Sequence, residues 1–270
     1  MCFSALIKRD MKAAGIDMDS HWIREDLQLF ERRSESDPKK FPAMKERIFQ
    51  GTYAPVFHYD KKSKLGVSPM RYGVYQPEFI KDPRLAKAFN ARRDNLQAPY
   101  WSEAFQSHHG FVLLDSFFEW VGVGDLVSAG RVEIKDIKSQ FEKESKERKL
   151  RILATGKKYA LTPTEKKDAL ERKIIIQFHP EDDEALFVPV LFTERVLEDG
   201  YIDRGFAIVT DDPQHEVLAA GHDRSPSFIT REAVMDWIDL NGKRFGDFQN
   251  LLDQKPKKFF EHHLASAQGN

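Results

Sequence analysis

Residues 111–120 read FVLLDSFFEW, and the fold turns on how that stretch is read. It is a dense run of aliphatic and aromatic side chains with two carboxylates, Asp115 and Glu119, embedded in it. Such residues favour the pleated, buried surface of a sheet, and the run is short enough for one strand. Side chains alternate across a strand, so the pattern sets Glu119 on the face of Asp115 and Phe117, with Phe118 and Trp120 opposite. A carboxyl group beside three aromatics is costly to bury unless it is paired or put to use.

On either side, VSPMRYGVY (67–75), KIIIQF (173–178), ALFVPVLF (185–192) and FAIVT (206–210) repeat the strand signal. Upstream, residues 20–33 carry Trp22, Ile23, Leu27 and Phe30 at helical spacing on a charged background. Residues 34–64 are broken by Pro38, Pro42, Gly51 and Pro55 and read as loops with short extended pieces. The segment KDPRLAKAFNARRDN reads as irregular chain with an Asn90-Ala91-Arg92 turn. Residues 121–172 are rich in Lys, Glu and Asp and read as an excursion from the core, with Thr162-Pro163-Thr164-Glu165 opening a helix inside it. Asp212-Pro213 opens a short helix that Gly221 should stop, which leaves His222 just past the stop. Thr230 caps a final helix with Val234, Trp237 and Ile238 on one face. The balance is α+β: a β-rich single domain over 1–270 with peripheral helices and a charged insertion at about 121–172.

The chain has 270 residues, 41% hydrophobic and 31% charged, with net charge −1. A sizeable core is available, and bulk charge does not advertise nucleic acid, so any such site must be a local basic patch. The single cysteine rules out an internal disulfide framework and a thiolate zinc cluster. His108-His109 and His262-His263 lack a third ligand at sensible spacing, so no metal is expected, nor any other cofactor. No apolar run approaches membrane-spanning length, and the first residues are too polar for a secretory signal. The expectation is an intracellular, cytoplasmic monomer.

That single cysteine is Cys2. Removal of Met1 would leave an α-amine with pKa roughly 7.7–8.0 beside a thiol with pKa roughly 8.5. A 1,2-aminothiol condenses with an aldehyde to an imine and closes to a thiazolidine. Glu119, desolvated by its aromatic neighbours, suits a general acid/base, and His222 titrates in the right range for proton transfer. Arg92 offers a planar fork for phosphate, and Asn90 can bond a sugar or peptide group. Arg71, Arg84, Lys87, Arg92 and Arg93 are interleaved with Tyr72, Phe79 and Phe89, a basic and aromatic set able to hold phosphates and stack bases. Each residue also has an ordinary reading: a frayed terminus, a strand-end glutamate paired with arginine, a surface histidine, a solvated turn.

Taken in order, Met1-Cys2, Asn90-Ala91-Arg92, Phe117-Phe118-Glu119-Trp120 and His222-Asp223-Arg224-Ser225-Pro226 resemble the motifs of the SRAP family, the SOS response-associated peptidases, also described as abasic-site processing proteins. Arg71-Tyr72-Gly73-Val74 and TREAVMDWI (230–238) are similar to further family segments. The resemblance implies a mixed or antiparallel barrel-like sheet with peripheral helices. It implies covalent capture of abasic sites in single-stranded DNA through a thiazolidine at Cys2, with self-processing peptidase and lyase outcomes possible for the same site. It assigns catalysis to Cys2, Glu119, His222 and Asn90, and DNA contacts to Arg92, Arg71, Tyr72, Arg93, Arg84 and Arg224. There are departures. Phe3-Ser4 replaces the family's Gly-Arg, and Asp94 stands where glutamate is usual. Two rival readings remain: an amidohydrolase using Cys2 as N-terminal nucleophile, and a relative that binds single strands without crosslinking.

Overall fold

The computed structural model describes residues 4–8, 21–59, 64–83, 88–128, 167, 171 and 173–265. Cys2, Arg84, Lys87, the Thr162–Glu165 helix start and most of the 121–172 insertion lie outside the described residues. In chain order the elements are β1 (Ser4–Ile7), α1 (His21–Ser36), β2 (Arg47–Phe49), β3 (Tyr53–Tyr59), β4 (Leu65–Tyr72), β5 (Asn90–Arg92), α2 (Ser102–Ser107), β6 (His109–Gly122) and α3 (Val123–Ser128). They continue with β7 (Lys173–Pro180), β8 (Leu186–Val196), β9 (Ile202–Asp211), α4 (His215–Ala219), β10 (Ser225–Pro226), α5 (Arg231–Ile238), α6 (Phe245–Leu252) and β11 (Phe260–Ala265).

The aromatic run is the middle of β6, and β6 has two sets of neighbours. Its first half pairs with β3 through Phe111 and Gly110, and with β8 from His109 to Leu114. Its second half pairs with β1 on one edge and β7 on the other. Strands β3, β4, β9, β8 and β6 close on themselves as a five-stranded barrel, antiparallel except where β4 meets β9. Beyond the barrel, β2, β1, the end of β6, β7 and β11 extend as a flanking sheet. The expected barrel-like mixed sheet with helices around it is the observed fold.

Between the halves of β6 lies a bulge. Leu6 faces Ser116 but Ile7 faces Leu114, so Asp115 is the extra residue. One inserted residue exchanges the faces of everything after it. Val112 and Leu114 point into the barrel core before the bulge, and Phe117 and Val121 do so after it. Glu119 therefore shares the core-facing side with Phe117, as the alternation predicted. Asp115 does not: it sits at the bulge, partly exposed, 2.9 Å from Lys8.

The inner core draws on all five barrel strands, including Val56, Met70, Val112, Val190 and Ile208, and runs on into Phe117 and Phe178 of the flanking sheet. A second core covers the outer side, where Phe111 and Leu113 of β6 meet Trp237 of α5 and Phe248 of α6. Thr230 caps α5 as the sequence indicated, its hydroxyl accepting from the Ala233 amide at 3.2 Å. It is not the final element, since α6 and β11 follow it. Residues 34–64 also hold more structure than loops. β3 runs straight through Pro55, which lies opposite Pro69 of β4. Two prolines can face each other only at a pair that exchanges no hydrogen bonds, because neither has an N–H to give. The Asn90-Ala91-Arg92 turn is likewise corrected: it is β5, paired in parallel with Ile208–Thr210 of β9. Among the described residues no helix is long and apolar enough to cross a membrane.

Candidate active site

Glu119 is wholly buried, and its Oε2 lies 3.3 Å from Nε2 of His222. Burial pushes the Glu119 carboxyl well above its usual range, and burial holds the His222 imidazole below its own. Both directions favour a neutral pair. The Nδ1–H of His222 donates to the Arg224 carbonyl at 2.8 Å, which leaves Nε2 as acceptor facing the protonated carboxyl. The arrangement sets a carboxyl and an imidazole side by side, with the carboxyl away from solvent.

The short helix α4 delivers the histidine. The Gly221 amide donates to Leu218 O at 2.8 Å and the His222 amide to Val217 O at 3.2 Å, the paired bonds of a Schellman stop. Gly221 has φ +85°, and a Cβ there would lie 2.4 Å from Cβ of Asp125 in α3. Glycine is thus required twice, for conformation and for room, and the close approach presses the histidine loop against the end of β6.

The arginine motifs arrive on either edge of β9. Thr210 pairs with Arg92 of β5 on one edge and with Pro226 of β10 on the other. Strands are spaced by about 5 Å, so the Asn-Ala-Arg and His-Asp-Arg segments become neighbours. Arg92 grips Asp94 with two bonds, Nε–Oδ1 at 3.0 Å and Nη2–Oδ2 at 2.6 Å. Nη2 of Arg224 approaches the same Oδ2 at 3.4 Å, and Nη1 of Arg224 lies 3.4 Å from Asp212. An unbroken line of contacts therefore runs from Glu119 through His222 and Arg224 to Asp94 and Arg92. Asn90 stands two residues before Arg92 and accepts from the Tyr72 hydroxyl at 3.3 Å.

Not every residue singled out in the sequence joins this line. Tyr72 is fully buried, its ring 5.1 Å from Phe206 in the barrel core, so it supports Asn90 from within and offers no face to a base. Arg71 is on the opposite face of β4, 4.6 Å above the Tyr75 ring. Arg93 is a clamp, tied to Asp211 at 3.0 Å, Asp253 at 2.8 Å and the Gln249 side chain at 2.8 Å, and so fixes α6 and the residues after it to the end of β9. His109 is a core residue stacked 4.1 Å from Trp237.

One residue was missed. Arg47 of β2 lies 3.7 Å over the Phe118 ring and donates through Nε to the Ser4 hydroxyl at 3.3 Å. Only its pairing with β1 brings it beside Phe118, on the face of β6 away from Glu119, and nothing local in Glu46-Arg47-Ile48-Phe49 signals that. Ser4 is opposite Phe118, so β1 enters the sheet one residue from Glu119. Cys2 is two residues ahead of Ser4, within about 7 Å of chain.

Solved structures share this architecture. An X-ray structure of a protein from Bacteroides thetaiotaomicron superposes with TM-score 0.60 at 13% identity, covering 99% of this chain and 93% of its own. A protein from Bordetella bronchiseptica gives 0.57 at 12% identity, over 98% of this chain and all of the other. A phage-related protein of the same organism gives 0.58 at 15%, over 98% and 94%. At such identities the likeness is one of fold alone. No curated protein matches the sequence. The family model for SOS response associated peptidase matches residues 16–268, a span that holds Asn90, Glu119 and His222 and leaves out Cys2. With nearly the whole chain matched and its motifs converging on one buried acid–imidazole pair, this protein belongs to the SOS response associated peptidase (SRAP) family.

Proposed function

We propose that this protein captures abasic sites in single-stranded DNA as a covalent adduct on Cys2, freed of Met1. The observation that carries the reading is the buried Glu119–His222 pair, 3.3 Å apart, at the point where β1 leads to the chain start. The α-amine adds to the aldehyde of the ring-opened sugar and gives a carbinolamine. Glu119 donates its proton to the departing hydroxyl, so water leaves and an imine forms. The thiolate then adds to the imine carbon while the nitrogen takes up a proton, and the thiazolidine closes with one water released overall. The proton that nitrogen sheds as the imine forms restores Glu119, and His222 Nε2 relays the proton of the anomeric hydroxyl to the ring oxygen on ring opening. Asn90 orients the sugar, and Arg92 and Arg224 hold adjacent phosphates.

The test is incubation with a single-stranded oligonucleotide bearing one abasic site, followed by denaturing electrophoresis and intact-mass measurement. The protein as purified should lack Met1 and give a heat-stable shifted band, and Cys2→Ala should give none. A Cys2→Ala protein that crosslinks as well as the parent sinks the mechanism.

A further inference from the structure

Arg92 and Arg224 are both held by one carboxylate. Oδ2 of Asp94 lies 2.6 Å from Arg92 Nη2 and 3.4 Å from Arg224 Nη2, and Oδ1 completes a two-toothed contact with Arg92 at 3.0 Å. A planar carboxylate seated between two guanidinium groups occupies the place and makes the bonds that a phosphate would. Asp212 pairs with Arg224 and Asp223 acts on Arg92, so the two arginines face three carboxylates. A DNA strand approaching there meets a neutralised pair of arginines and must displace Asp94 to reach them. The displacement is inexpensive, because the side chains of Arg92 and Asp94 are 52% and 54% exposed and exposed pairs contribute little.

We propose that Asp94 is an internal phosphate mimic that keeps affinity for undamaged strands low and so leaves selection of the lesion to the covalent step. The inference rests on the DNA reading above and adds its regulation. Binding to intact DNA is reversible and offers no aldehyde, so an unmasked arginine pair would hold the protein on the excess of undamaged strand. With Asp94 in place, residence is short wherever no bond can form.

The test measures binding of the full chain to a labelled, undamaged oligothymidylate by anisotropy across a salt series, comparing wild type, Asp94→Asn and Asp94→Ser. Thermal melts confirm that the half-exposed substitutions leave the fold intact. Both variants should bind about fivefold tighter, the scale of one exposed ion pair removed. Their salt dependence should steepen by about 0.7 for each phosphate newly engaged. The gain should vanish when Arg92→Gln is added, and excess undamaged strand should slow abasic-site crosslinking by Asp94→Asn more than by wild type. Unchanged or weaker binding in both variants overturns the proposal. So does a gain that persists without Arg92, which would mark a general field effect. Undamaged DNA has no aldehyde, so failure of the Cys2 chemistry would show only in the crosslinking assay, whereas no binding by any variant at low salt would sink the DNA reading itself.

Discussion

Glu119→Gln separates the chemical role of the buried acid from its structural one. Glutamine has the shape of a protonated carboxyl and can still donate a hydrogen bond to His222 Nε2, so the packing around Phe117 and Val121 survives. What it cannot do is release a proton. Loss of a positioned general acid lowers rates by about 10²–10⁴-fold. The stability effect has the opposite sign. Burial holds the folded-state pKa of Glu119 above the ordinary 4.5. Above that value the unfolded chain has ionised while the folded protein still keeps the proton. This group's contribution is therefore complete below about pH 4.5 and declines as pH rises, by about 1.4 kcal/mol per pH unit, until the buried carboxyl ionises. His222 is depressed below 6.5, so its own pH effect ends near that value and leaves Glu119 alone at higher pH. Above pH 4.5, and until the buried carboxyl itself ionises, the variant should gain on wild type by about 3 °C in Tm per pH unit. Melting curves at several pH values and single-turnover crosslinking measure both quantities. Parallel Tm profiles would show that the carboxyl is not held protonated. A wild-type crosslinking rate would show that it is not the acid.

Gly221→Ala should cost about 2–4 kcal/mol from positive-φ strain plus the clash with Asp125, lowering Tm by roughly 5–10 °C and slowing crosslinking as His222 shifts. Arg93→Ala should lower stability by about 1–3 kcal/mol, seen in urea melts, with affinity for single-stranded DNA changed less than threefold, because Arg93 serves as a clamp for α6. Arg47→Gln should lower stability by about 1–2 kcal/mol in urea melts, and Arg47→Lys should recover less than half of that, since lysine restores charge without the flat contact on Phe118.

The strand of residues 111–120 was legible because its composition admits little else, and Glu119 stood out because a carboxyl among aromatics demands a reason. Gly221 announced the helix stop and hence the placing of His222. Other features depend on partners far away in sequence. Pro55 suggested a loop, yet the position is harmless when Pro69 lies opposite. Asn90–Arg92 is too short to show any alternation, and it is a strand only because β9 offers a free edge. Tyr72 resembled a stacking platform, and only barrel closure reveals that its ring faces inward. The bulge at Asp115 left no local mark, and Arg47 reaches Phe118 through pairing alone. Residues 245–265 gave no distinct pattern, and β11 finds its place by joining β7, with Phe260 packed 5.6 Å from Phe117.

The ring of five strands closes between β4 and β9, segments well over a hundred residues apart, and β9 is translated long after β4. While the ribosome is still making the middle of the molecule, Glu119 is already joined to the chain, yet neither His222 nor Arg224 exists. Loop closure over such a span is slow and comes late. The reactive pair is therefore assembled only when translation is almost finished. In a nascent or truncated chain Glu119 has no imidazole beside it, and the pair exists only once the barrel is sealed.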